Sequence, residues 1–160
     1  MPLVELLTEI NAPIQICFDL SRSVELHEES TSHTNEKAIS GRVKGLFEKG
    51  DTVTWRAKHF GIYQYLSMRI SEMKRPFFFE DRMDKGAFKS IWHKHYFIEQ
   101  EGITIMKDQF YYEVPYGIIG KLFDLLVLKR HMRKLLIKRN DTIKHIAENG
   151  NYIHLFNHKD

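Results

Sequence analysis

A chain of 160 residues with 42% apolar or aromatic side chains is one domain's worth of sequence with material for a core, which argues against disorder throughout. Its formal charge of +3, from 24 basic and 21 acidic residues, is too even to mark a nucleic-acid binder. The single cysteine, Cys17, excludes an intramolecular disulfide and a cysteine-rich zinc site, and fits a reducing, cytoplasmic setting.

The opening MPLVELLTEINAPIQ lacks the basic and long apolar regions of a signal peptide. Leu3 to Ile10 alternates as a first strand. Asn11, two residues before Pro13, signals a helix entry, and Ile14, Cys17, Phe18 and Ser21 then share one helical face. A second short helix is expected near Val24 to Glu29. Thr52 to Phe60, TVTWRAKHF, places Val53, Trp55, Ala57 and His59 opposite Thr52, Thr54, Arg56 and Lys58, the pattern of a half-buried antiparallel strand. Further extended segments follow at Tyr63–Met73, Phe77–Lys85, Ile91–Glu99 and Ile103–Val114. Gly61, Lys74-Arg75-Pro76, Gly86 and Glu101-Gly102 separate them as short turns, so the segments form an antiparallel meander.

Pro115 closes the last strand and the apolar period changes. Ile119, Leu122, Phe123, Leu126, Met132, Leu136, Ile137, Ile143 and Ile146 recur mostly at spacings of three or four, predicting one amphipathic helix of ~50 Å that Asn149-Gly150 ends. Its most apolar part, GIIGKLFDLLVL, is interrupted by Lys121 and Asp124 and is shorter than the ~20 apolar residues of a membrane span. The domain is expected to occupy residues 1–150, with 151–160 as a C-terminal tail.

The segments APIQICFDLSRS, GDTVTWRAKHFG, DRMDKGAFKSIWHKHYF and KDQFYYEVPYG, in this order before a long helix, resemble the START/Bet v 1-like (SRPBCC) superfamily, particularly its small bacterial polyketide cyclase/dehydrase-like or cell-division-inhibitor-like members. The resemblance spans about Leu3 to Glu148. It implies an α+β helix-grip fold, a curved antiparallel sheet wrapped around the C-terminal helix with an apolar cavity between them. Many such proteins bind hydrophobic ligands and some catalyse reactions, so the fold does not choose between these roles.

On that fold, one face of each strand looks at the helix. The inward sets are then Val53, Trp55, Ala57 and His59; Phe77, Phe79, Asp81 and Met83; and Thr104, Met106, Asp108, Phe110 and Tyr112. In IWHKHYF the choice lies between His93, His95 and Phe97 and the set Trp92, Lys94, Tyr96 and Ile98. The lysine favours the histidine set inside, although a one-residue bulge would exchange the faces. Trp55, Phe79, Met83, Phe110, Leu122 and Leu126 are expected as apolar walls, with His59, Asp81, His93, His95 and Asp108 orienting a polar group.

These residues allow three function classes. The first is a non-catalytic module for a hydrophobic or amphipathic, lipid-like small molecule. The second is a cyclase/dehydratase-like enzyme in which His93 or His95 pairs with Asp81 or Asp108 to move a proton. The third uses the basic pairs of the helix, Lys129, Arg130, Arg133, Lys134, Lys138 and Arg139, at a membrane surface or a protein partner. Between Tyr116 and Glu148 there are eight Lys or Arg against three Asp or Glu, but a solvated helix face accounts for such pairs as well. Same-face histidines lie ~7 Å apart along a strand, and His59, Asp81 or Asp108 could complete a metal site. No zinc pattern surrounds them, and no metal or cofactor is expected. Cys17 reads as a small core side chain, and nucleophile-elbow, P-loop and dinucleotide motifs are missing.

Overall fold

The computed structural model describes residues 1–156. Seven strands form one antiparallel sheet: β1 (Leu3–Ile10), β2 (Lys37–Gly41), β3 (Thr52–His59), β4 (Ile62–Lys74), β5 (Phe78–Lys85), β6 (Ser90–Gln100) and β7 (Ile103–Glu113). Their spatial order is β1-β7-β6-β5-β4-β3-β2, so β3 to β7 are the expected meander and β1 and β2 are the two edges. Two short helices, α1 (Ile14–Ser21) and α2 (Val24–Ser30), carry the chain from one edge to the other. Ser23 caps α2 by accepting a hydrogen bond from the Leu26 amide.

The edge strand β2 was not expected. Its sequence, KAISG, is mostly exposed on both faces and therefore carries no alternation. At the other end of the chain, Ile153–Phe156 forms a helical turn whose Leu155 reaches the core. Residues 157–160 of the expected tail lie outside the described residues.

The core divides into two groups. Around α1, Phe18 meets Phe79 and Phe97 edge-on, backed by Met106 and Ile143. Toward β3, Trp55, Met68, Phe110, Tyr112 and Leu136 form the second group. Alternation places Thr104, Met106, Asp108, Phe110 and Tyr112 inside on β7, and His93, His95 and Phe97 inside on β6. Phe77 departs from the expected set: it is 60% exposed. Its amide donates to the Lys74 carbonyl in the turn, and β5 begins only at Phe78. Phe79 and Asp81 keep the inward face, opposite His95 and His93.

The C-terminal helix is helical from Gly117 to Asn149 but is not a uniform α-helix. It comprises α3 (Gly117–Phe123), a π-helical segment (Asp124–Leu128) and α4 (Lys129–Asn149). In α4 the inward side is Leu136, Arg139, Asn140, Ile143, Ile146 and Ala147. Ile137, expected inward, is 38% exposed. Leu122 and Leu126, expected as cavity walls, point to solvent. Two close contacts mark the inward side of α3 and the π segment. Gly120 sits so closely on the Pro115 carbonyl that a Cβ would overlap its oxygen. Asp124 is buried and accepts a hydrogen bond from the Tyr112 hydroxyl. The π segment then resets the phase, returning Leu128 and Leu136 to the inside.

Gly120→Ala is accordingly expected to destabilise the fold by about 1–3 kcal/mol. Alanine's intrinsic advantage of about 1 kcal/mol in a helix should not offset it. Urea denaturation checks this, and an unchanged or raised midpoint would refute the close approach.

Candidate functional site

A cavity of about 200 Å³ lies between the sheet and α4. Its walls are mostly apolar, including Trp55, Met68, Phe110 and Leu136; its polar lining includes Asp81, His93, His95 and Arg139 and, separately, His27, Glu36, His59 and His131. The lining residues that are also solvent-exposed, Phe60, Tyr65 and Ala87, mark the mouth.

Strand register builds the polar cluster. Asp81 on β5 is opposite His93 on β6, and His95 is opposite Asp108 on β7. His93 Nε2 lies 3.0 Å from Asp108 Oδ1, and His95 Nε2 lies 3.0 Å from Asp81 Oδ1. With ionised carboxylates accepting, both ring nitrogens donate. His95 Nδ1 is 2.9 Å from Asp108 Oδ1 but off the hydrogen-bond direction. It is the one buried side-chain nitrogen or oxygen without a hydrogen-bond partner among the described residues. The two imidazoles are 3.8 Å apart between ring centres. His95 stacks on Phe79, and Phe110 meets His93 edge-on, so the cluster stands where the two core groups join.

The helix supplies the rest. Asn140 Nδ2 donates to Asp108 Oδ2 at 2.7 Å, and Arg139 Nη1 lies 3.6 Å from Asp108 Oδ1. Arg139 Nη2 also donates to the Ser21 carbonyl at 2.9 Å. Arg139 is therefore a buried member of the site and not part of the solvated basic face. Neither Arg139 nor Asn140 was expected in the site. Asn140 in an apolar helical register was the available signal, since a buried amide needs partners.

Burial and the adjacent His95 push the His93 imidazole down to about 4, outweighing the pull of Asp108 and Asp81. His93 is thus neutral at physiological pH. Burial acts to raise both carboxyls, yet contacts with the histidines hold Asp108 well below the ordinary range and Asp81 below it. Ionised Asp108 backing a neutral His93 that lines the cavity can hydrogen-bond a polar ligand atom or accept a proton. One ligand atom from each of Asp81, His93 and His95 falls within 4.8 Å of the others, so these three could hold a cation, with Asp108 behind the imidazoles.

The remaining expected residues separate. Trp55, His59, Phe79, Asp81, His93, His95 and Phe110 line the cavity. Asp108 is fully buried behind the imidazoles. Met83 is half-buried against the second core group and does not line the cavity, because β5 shifts register against β4 on either side of it. His59 does not join the cluster: its Nδ1 meets His131 Nε2 at 3.2 Å near the mouth. Burial holds both of these imidazoles below their ordinary value. His27, on α2, is a lining residue that went unforeseen; it stacks on Trp55 and pairs with Glu36 at 3.3 Å. Cys17 is buried away from the cavity, and burial raises its thiol to about 11, which removes it as a nucleophile.

No family model and no curated protein matches the sequence. Solved structures do match. A START superfamily protein from Mycobacterium smegmatis superposes with a TM-score of 0.69 at 10% identity, over 92% of this chain and 97% of its own. A protein from Thermus thermophilus gives 0.69 at 18% identity, over 89% and 97%. The major latex-like protein 151 of Panax ginseng gives 0.63 at 13% identity, over 91% and 97%. At these identities the likeness concerns the fold: the chain has the helix-grip α+β fold of START/Bet v 1-like proteins.

Proposed function

We propose that this chain binds a hydrophobic or amphipathic small molecule between its sheet and α4 and holds it without transforming it. The supporting observation is a mostly apolar cavity into which the buried His93, His95, Asp81 and Arg139 cluster projects, an arrangement that buries a ligand's body while orienting a polar group. Trp55 and Phe110 would contact the body. His93, whose Nε2–H is given to Asp108, would accept a hydrogen bond at Nδ1 from a hydroxyl or N–H group of the ligand.

Native mass spectrometry of the purified protein, with solvent extraction of any adduct, tests this reading. A cavity that takes up neither a co-purified molecule nor an apolar fluorescent probe would sink it. Trp55→Ala is expected to lower probe affinity at least tenfold and, through lost packing, stability by about 3–5 kcal/mol. The affinity is measured at a temperature where the variant remains folded.

A second reading draws on the His93–Asp108 pair: proton abstraction beside a carbonyl, as in a cyclase or dehydratase. Turnover of a polyketide-like substrate that survives His93→Gln would remove it.

A further inference from the structure

The outer face of α3 and the π segment reverses the usual amphipathic plan. Gly120, Asp124 and Leu128 face the protein, while Ile118, Ile119, Leu122, Leu125 and Leu126 face solvent, each between 56% and 86% exposed. Their spacing, i, i+1, i+4, i+7 and i+8, is one helical face. Exposed Tyr116 and Phe123 lie on the same segment. The patch continues onto the β3–β4 hairpin, where the half-exposed Phe60 ring meets Phe123 at 5.6 Å between ring centres. Phe60 has φ 52° and is followed by Gly61 at φ 78°, a turn whose first central position ordinarily takes Asn, Asp or Gly. A bulky aromatic there is locally unfavourable, a cost that its packing against Phe123 and His131 offsets in part.

An apolar face of this extent needs a cover, and the surrounding charge indicates which. Lys121, Lys129, Arg130, Arg133, Lys134 and Lys138 are exposed on the same helix, whereas its first acid, Asp124, is buried. A second copy docked about a twofold axis would bring these like charges together. An anionic lipid surface matches both properties: acyl chains for the leucines and isoleucines, headgroups for the lysines and arginines. None of the described helices is long and apolar enough to cross a membrane. The segment would lie in the interface plane.

We infer that the α3–π segment and the Phe60 hairpin tip form a membrane-docking face for bilayers rich in anionic phospholipid. The face adjoins the cavity mouth, since Phe60, Leu128 and His131 line the cavity. The inference goes beyond ligand binding and does not depend on it.

The test is flotation of the purified protein with phosphatidylcholine vesicles, with and without about 30% phosphatidylglycerol, across a salt series. Flotation is expected only with the anionic vesicles and is expected to weaken as salt rises. Lys129→Gln and Arg130→Gln should each lower partitioning about fivefold. The triple variant Leu122→Ser, Leu125→Ser, Leu126→Ser should abolish it, with an unchanged thermal midpoint because these side chains are already in solvent. Leu126→Trp should show a blue-shifted emission on vesicle addition. No flotation, or flotation indifferent to anionic lipid, would overturn the inference. So would a concentration-dependent dimer that the triple variant dissolves while vesicles remain unbound. Failure here leaves probe uptake by the cavity intact, whereas a sealed cavity leaves flotation intact.

Discussion

Asp108→Ala is expected to lower the unfolding free energy by about 3–5 kcal/mol, the cost of removing one partner from a buried charged group. In a domain of this size that corresponds to a thermal midpoint lower by roughly 10–15 °C. The carboxylate is fully buried and is shared by four side chains: His93 and, off the hydrogen-bond direction at 2.9 Å, His95 from β6, Asn140 from α4 and, at 3.6 Å, the Arg139 guanidinium. Its loss leaves a buried amide and a buried cation short of a partner, while the Ser21 carbonyl still receives only one arm of Arg139. Asp108→Asn keeps the shape and one acceptor but places an amide among donors, so an intermediate loss is expected. Urea titration of both variants decides the matter. A cost below about 1 kcal/mol for the alanine variant would show that water or a rearranged Arg139 replaces the carboxylate.

The second large effect is on acid stability. In the folded chain His93 takes up a proton only near pH 4, whereas in the unfolded chain it does so near 6.5. Between these values the unfolded state binds more protons, so stability falls as the pH falls. For a buried imidazole this window amounts to about 3 kcal/mol. His59 and His131, held below 6.5 by burial, contribute in the same direction. Below 3.8 the depressed carboxyls of Asp81 and Asp108 continue the loss, because the stability they give above their unfolded values disappears on protonation. Denaturant melts from pH 7 to 4 in a His59→Gln, His131→Gln background should retain a steep slope. Adding His93→Gln should flatten most of it. An unaltered slope would mean that another group carries the acid sensitivity.

The strands and their faces were largely legible because alternation is a two-residue signal. Lys94 between His93 and His95 was enough to turn both histidines inward. Their pairing with Asp81 and Asp108 follows once β5, β6 and β7 are neighbours in an unshifted register. The helix was less legible for a physical reason. Apolar periodicity assumes that the apolar side is the buried side, and in α3 and the π segment it is not: Gly120, packed on the Pro115 carbonyl, and Asp124, bonded to the Tyr112 hydroxyl, face inward. The π segment adds a phase change that no composition signal announces. Arg139 was grouped with the surface bases because local spacing carries no information about the Ser21 carbonyl on α1. His27 could not be connected to Trp55 before the topology placed α2 over β3.

The pairing of β1 with β7 has a consequence for how the chain is made. Leu3 lies opposite Tyr111 and Ile10 opposite Thr104, so β1 waits for a partner made about a hundred residues later. At ~5–20 residues per second the ribosome takes roughly 5–20 s to supply it. Throughout that interval the β3–β6 hairpins can zip locally, while Val4, Leu6 and Ile10 have no sheet to join. Nascent β1 is therefore an exposed, chaperone-accessible ribbon, and its closure onto the sheet is a late event in the birth of the molecule.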